Sequence, residues 1–276
     1  MFDAQQRTKT VFDNETVLST TKHVHPIGRE DELNEIADRL RPVAQGHDPD
    51  DLLVYGPAGS GKTTCVNHVF DRLHNQTRVT TVRLNCWNYT TRSAILAQLL
   101  IELGYVVPRR GKPVDELTAK LREWVDKNHD IVVALDEFDQ LDEQNEIIYD
   151  LHNIGVKADG HLGMVTVANK PPSQLELDQR SQSRLGYQTV QFMPYDKDDL
   201  IDILADRAED AFKPGCLGDD VVDHVADTVS TEIKRGCGDC RHALEILHRA
   251  GREADKEHAD KVTIAHVERA TNPALH

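Results

Sequence analysis

Positive charge is what this chain has least of. Lys and Arg total 32 against 47 Asp and Glu over 276 residues, for a net charge of −15. The anions are mainly aspartate, 30 Asp to 17 Glu, and only 13 of the cations are Lys. Phosphate backbones attract Lys and Arg, so taken alone this balance argues against a nucleic-acid partner. An Asp-rich, Lys-poor surface is, however, expected of a protein working in concentrated salt. There the Debye length falls to about 3 Å at 1 M, and self-repulsion and long-range steering both weaken. An ordinary acidic cytosolic protein is the alternative. Long apolar runs are also missing: none approaches the roughly 20 residues that cross a bilayer. The first twenty residues lack the apolar core of a secretory signal, so no membrane partner and a cytoplasmic location are expected. The five cysteines are odd in number and scattered, which is no disulfide framework. Cys237 and Cys240 form one CxxC with His242 nearby, but the second half of a zinc site is absent, as is any HExxH pattern.

What is present has a clear order. Residues 1–23 are polar and aperiodic and read as a flexible arm. From Arg29, a helix is marked by Leu33, Ile36, Leu40 and Val43, with Glu30, Asp31 and Glu32 at its N-terminal end. Five β-type runs then follow, at 52–55, 79–84, 131–135, 164–168 and 187–192. Helical patterns alternate with them at 62–73, 92–103, 114–128 and 145–154. Such alternation implies a largely parallel sheet covered on both faces, with the unbroken run 131–135 as a central strand. Beyond Pro194 the strands stop. Asp196 can cap a helix carrying Leu200, Ile203, Leu204 and Ala208, and three more helical patterns follow. The expected division is an α/β domain over 24–193 and an all-helical domain over 194–276.

The chemistry-bearing residues begin at Gly56-Pro57-Ala58-Gly59-Ser60-Gly61-Lys62-Thr63. This P-loop pattern lies between a strand and a helix, the context it requires. Its glycines let backbone N–H groups face phosphates at the positive end of the next helix. Lys62 then neutralises the β- and γ-phosphates of ATP, and the Thr63 hydroxyl ligates magnesium. At the end of 131–135, Asp136 is placed to hold magnesium and Glu137 to act as general base. Asn169 ends the fourth strand, where its amide can orient the attacking water. Arg180 and Arg184 stand four residues apart before the last strand. They are either surface ion pairs or an arginine finger reaching a neighbouring subunit's nucleotide. Arg241 begins a helix of the second domain and is a candidate to contact the same phosphate.

These motifs, in this order, resemble the AAA+ ATPases of the initiator branch. The chain is similar in particular to the archaeal origin-recognition proteins related to eukaryotic origin recognition complex subunits and to bacterial DnaA. HPIGREDELNEIADRLRPV, LNCWNYTTRSAILAQLL, LDEFDQLD, LDQRSQSRLG, FMPYDKDDLIDIL and GDCRHALEILHRAG carry the likeness. It implies a five-stranded P-loop NTPase sheet with helices on both faces and a small helical lid. It also implies adenine contacts at Val24, Pro26, Ile27 and Arg29, and phosphate contacts extending to Thr64. Asn169 takes the sensor 1 position, Arg241 sensor 2, and Arg184 the finger with Arg180 in support. The segment from Trp87 to Leu100 matches one that presents a helix to DNA in relatives; here it offers Arg92, Thr90 and Thr91. A bland amphipathic helix with Ile95, Leu96, Leu99 and Leu100 packed inward is the other reading. The family's winged-helix domain is expected to be missing from this chain. The implied function is an ATP-switched replication initiator with ATP/ADP and magnesium as cofactors. Its implied partners are origin duplex DNA and other initiator subunits or helicase-loading machinery. An ATP-gated regulator of a full-length initiator, without its own origin binding, is the alternative.

Overall fold

The computed structural model describes residues 10–19, 25–106, 111–128, 130–185, 188–231 and 237–271. They fall into two compact units. One comprises 29–57 and 61–192; the other gathers the described residues before Arg29, Ala58–Ser60, and those from Met193 onward.

The first unit is a five-stranded parallel sheet. Its strands are β1 (Leu52–Tyr55), β2 (Thr80–Asn85), β3 (Asp130–Asp136), β4 (His161–Ala168) and β5 (Thr189–Gln191), in spatial order β2-β3-β4-β1-β5. Period-two alternation sends neighbouring side chains of β3 to opposite faces. Ile131, Val133 and Leu135 join one apolar layer, with α3 (Arg92–Glu102), α4 (Val114–Asn128) and α5 (Gln144–Lys157). Val132 and Ala134 join the other, with α1 (Glu30–Ala44) and α2 (Lys62–Gln76). A strand covered on both sides has no use for polar residues, which is why this run reads as unbroken. β4 starts three residues earlier than its apolar pattern suggests. Gly163, which looks like an interruption, lies within the strand because a Cβ there would come within 2.5 Å of Pro49. A short helix, α6 (Gln179–Leu185), precedes β5. Asp178 caps it by accepting the Ser181 N–H at 2.7 Å. Tyr187, expected in the fifth strand, lies outside the described residues.

The helical unit contains α7 (Lys197–Ala211), α8 (Val221–Thr231), α9 (Cys240–Lys256) and α10 (Ile264–Thr271). Leu200, Leu204, Val225, Val229, Leu247 and Val267 form its interior. Asp196 caps α7 as expected, in a reciprocal box with Asp199.

The reading of residues 1–23 as a flexible arm is corrected for 10–19. This segment is packed onto the helical unit, with Val11, Phe12, Val17 and Leu18 buried. Phe12 stacks on Phe212 at 4.9 Å and sits over Gly251, where a Cβ would be 2.2 Å from its ring. The Asp13 and Asn14 N–H groups donate to the Ala211 carbonyl, and the Lys213 N–H to that of Val11. Asp255 accepts from the Thr10 hydroxyl and the Val11 N–H, each at 2.7 Å. Two short apolar pairs carry no periodic signal; a groove supplied by residues 200 positions away decides their fate.

Candidate functional site

The order β3-β4-β1 brings the ends of three strands side by side, at the carboxyl edge where open α/β sheets take ligands. β1 runs into the P-loop. Gly56 adopts φ 154° and passes so close to Phe192 that a Cβ would lie 2.3 Å from its carbonyl oxygen. Gly59 (φ 70°) and Gly61 (φ 93°) take left-handed conformations that a side chain resists. Gly61 is the N-cap of α2 and has no side chain to occupy the first N–H groups of that helix. Donors at the positive end of a helix suit an anion.

Lys62 is buried, and its Nζ donates to the carbonyls of Gly56 at 2.9 Å and Pro57 at 2.7 Å, and to Asn169 Oδ1 at 3.0 Å. Asn169 Nδ2 donates to Glu137 Oε2 at 2.6 Å. One carboxamide thus spans the P-loop lysine and the carboxylate after β3. The Thr63 hydroxyl lies 3.2 and 3.1 Å from the two oxygens of Asp136. Burial first, and then the negative charge of Glu137, raise the Asp136 pKa above its ordinary value; the Thr63 hydroxyl and the Glu137 N–H pull it back. Glu137 itself stands at φ 53°, a left-handed conformation unusual for a residue of its size. The Asp136 side chain and Asn169 both hold it there. Strained non-glycine residues cluster at functional sites, and this one carries the carboxylate of interest.

The paired hydroxyl and carboxylate of Thr63 and Asp136 are hard oxygen donors, and they fit magnesium. Among the described residues no group of three or more His, Cys, Asp or Glu could hold a metal. Magnesium does not require one, since it is commonly bound through one or two carboxylates together with phosphate oxygens and water.

The other expected residues are placed as follows. Arg29 is buried at the start of α1, paired with Glu32 at 2.9 Å and 5.5 Å above the Phe192 ring centroid. Pro26 is buried and Ile27 packs on the helical unit's core, while Val24 lies outside the described residues. Arg180 is exposed on α6 and Arg184 half-buried; Arg241 is exposed at the start of α9. In the segment 87–100, Arg92 is not a free cation. Its Nε and Nη2 each meet an oxygen of the buried Asp150 on α5 at 2.6 Å, and its backbone N–H reaches Glu143. Ile95, Leu96, Leu99 and Leu100 are fully buried, as the amphipathic reading requires. Trp87 is 68% exposed.

Asp139 went unassigned on sequence grounds, yet its carboxylate accepts the Asn169 N–H at 3.1 Å and fixes the backbone beneath that side chain. Its place in LDEFD, three residues after Asp136, was the only available signal.

Known proteins share this family and fold. Residues 48–174 match the AAA domain model and residues 201–272 the Cdc6 AAA+ ATPase-type lid domain. An ORC1-type DNA replication protein of Pyrococcus abyssi is 34% identical over 285 residues, spanning 98% of this chain and 67% of that one. The Aeropyrum pernix ORC1 protein, solved in complex with DNA, superposes with a TM-score of 0.82 at 29% identity, covering 96% of this chain and 70% of that one. Cdc6p from Pyrobaculum aerophilum shares the fold, with a TM-score of 0.86 at 24% identity over 96% of this chain and 72% of that one.

Proposed function

The chain belongs to the ORC1-type DNA replication proteins, within the AAA+ ATPases, and on that premise we propose that it is an origin-binding replication initiator switched by ATP binding and hydrolysis. The observation that carries this reading is the linked set Lys62–Asn169–Glu137 beside Thr63–Asp136 at the mouth of the P-loop.

In this reading residues 56–64 cradle the phosphates, with backbone N–H groups from every one of them except Pro57, and Lys62 neutralises the β and γ charges. Val24, Pro26, Ile27 and Arg29 contact the adenine. Asn169 orients a water, and Glu137 takes one of its protons. The water oxygen bonds to the γ-phosphorus as the bond from that phosphorus to the β–γ bridging oxygen breaks, leaving ADP and phosphate. Thr63 and Asp136 hold magnesium, which supplies neutralisation of phosphate charge when bound. Arg184, supported by Arg180, acts on the nucleotide of a neighbouring subunit, and Arg241 fills the sensor 2 role. ATP favours assembly with other initiator subunits or helicase-loading machinery, and hydrolysis releases it.

Lys62→Ala should abolish binding of a fluorescent ATP analogue, whereas Glu137→Gln should keep binding and lose phosphate release. Wild-type turnover by Glu137→Gln would remove the base assignment.

A second reading is an ATP-gated regulator of another initiator. The pairing of Arg92 with Asp150 favours it, because that arginine is committed inside the protein. Fluorescence anisotropy in ATP and molar salt separates the two. Tighter binding to origin duplex than to a random duplex of equal length supports the initiator, and equal binding supports the regulator.

A further inference from the structure

Helix α5 grips the arginine-bearing helix α6 in two places. Asn145 closes a clasp on the backbone ahead of α6: its Nδ2 donates to the Glu176 carbonyl at 2.9 Å, and its Oδ1 accepts the Asp178 N–H at 2.8 Å. One turn further along the same face of α5, Tyr149 presents its ring to the guanidinium of Arg184, 5.3 Å from the ring centroid. Arg184 Nη1 is buried and has no hydrogen-bond partner among the described residues.

The next residue on α5 treats an arginine differently. Asp150 takes two donors of Arg92 in a fork that leaves little for any outside group. A ring face attracts a cation electrostatically but accepts none of its in-plane N–H bonds. Tyr149 therefore fixes the Arg184 guanidinium while leaving donors available. Nη1 is closed to solvent, but Arg184 as a whole is only half-buried, so the side chain keeps an open part toward an acceptor from outside the chain.

We infer that Tyr149, seated by the Asn145 clasp, is a positioning residue that holds Arg184 ready for an oxyanion carried by a second copy of this chain. The inference rests on the reading of Arg184 as a residue acting in trans, and it adds what sets that residue in place.

The test is phosphate release at saturating ATP as a function of protein concentration, with ATP affinity measured separately on dilute protein. Tyr149→Leu should lower the concentration-dependent part of turnover about two- to fivefold, with ATP affinity and melting temperature unchanged. Tyr149→Phe keeps the ring face and should behave as wild type. Arg184→Ala should remove the concentration-dependent part, and adding Tyr149→Leu to it should change nothing more. Glu137→Gln protein, dead in its own site but intact at Arg184, should restore turnover when mixed with Tyr149→Leu; general structural damage would not be rescued this way. If Arg184→Ala loses nothing, the trans reading falls and this inference with it. If Arg184→Ala loses the concentration-dependent part while Tyr149→Leu matches wild type, the trans reading stands and the positioning role of Tyr149 is overturned.

Discussion

At the strand ends of the α/β unit, Lys62, Asn169, Glu137, Thr63 and Asp136 are hydrogen-bonded to one another or to the P-loop backbone. In the helical unit the interior is Leu, Val and Ala, and its key polar groups work at the edges: Asp196 capping α7, Asp255 gripping residues 10 and 11. The contrast separates two kinds of sensitivity. A polar change in the first unit alters charge and geometry where chemistry is proposed, while the apolar layers that hold the sheet are untouched. A change in the second unit alters how much apolar surface is buried, and so alters stability.

The sharpest test of that division is Glu137→Gln, which should cut phosphate release about 1,000-fold, a typical general-base effect, at unchanged melting temperature. Phe12→Ala should do the reverse, because it empties a site stacked on Phe212 and lodged over Gly251. A loss of about 3 kcal/mol in denaturant unfolding is expected. Turnover per folded molecule falling as steeply as in Glu137→Gln would break the comparison. Arg92→Ala should cost about 2 kcal/mol by leaving the buried Asp150 carboxylate unpaired, whereas Arg184→Ala should leave stability within about 0.5 kcal/mol. Equal losses would show that the two arginines held by α5 do not differ as drawn.

A smaller effect concerns Asp136. Its raised pKa means that the folded state holds this proton more tightly than the unfolded chain. Its contribution to stability is therefore full below the ordinary carboxylate range and is lost as pH rises through the raised value. Asp136→Asn should thus melt higher than wild type at pH 7.5 and alike at about pH 3, although it removes a site residue. The least effect is expected at the thiols. Burial pushes Cys65 and Cys86 up to about 12, so a thiol reagent at pH 8 should label exposed Cys237 and reach those two only on unfolding.

Much of the α/β unit was legible beforehand, for identifiable reasons. The helix Val114–Asn128 and the strand Leu52–Tyr55 have the boundaries their patterns imply, and the other expected strands and helices of this unit shift by only a few residues at their ends. Long periodic segments report the face they bury, and the P-loop's glycines and lysine have few other uses in that setting. The left-handed backbone at Glu137, the support from Asp139 and the fate of residues 10–19 were not legible. Each depends on groups distant along the chain.

Sequence alone was enough to determine the parallel sheet and the helical second unit, and to nominate the P-loop, Asp136, Glu137 and Asn169, because those follow from local periodicity and from which side chains can do phosphate chemistry. Tertiary structure decided which of the chain's scarce cations are committed. Arg92 and Arg184 look alike in a string of letters. One meets a buried carboxylate through two of its nitrogens, while the other meets an aromatic face and keeps a donor without a partner among the described residues. Charge pairing is set by what packs within a few ångströms, and the chain's own order does not report that distance.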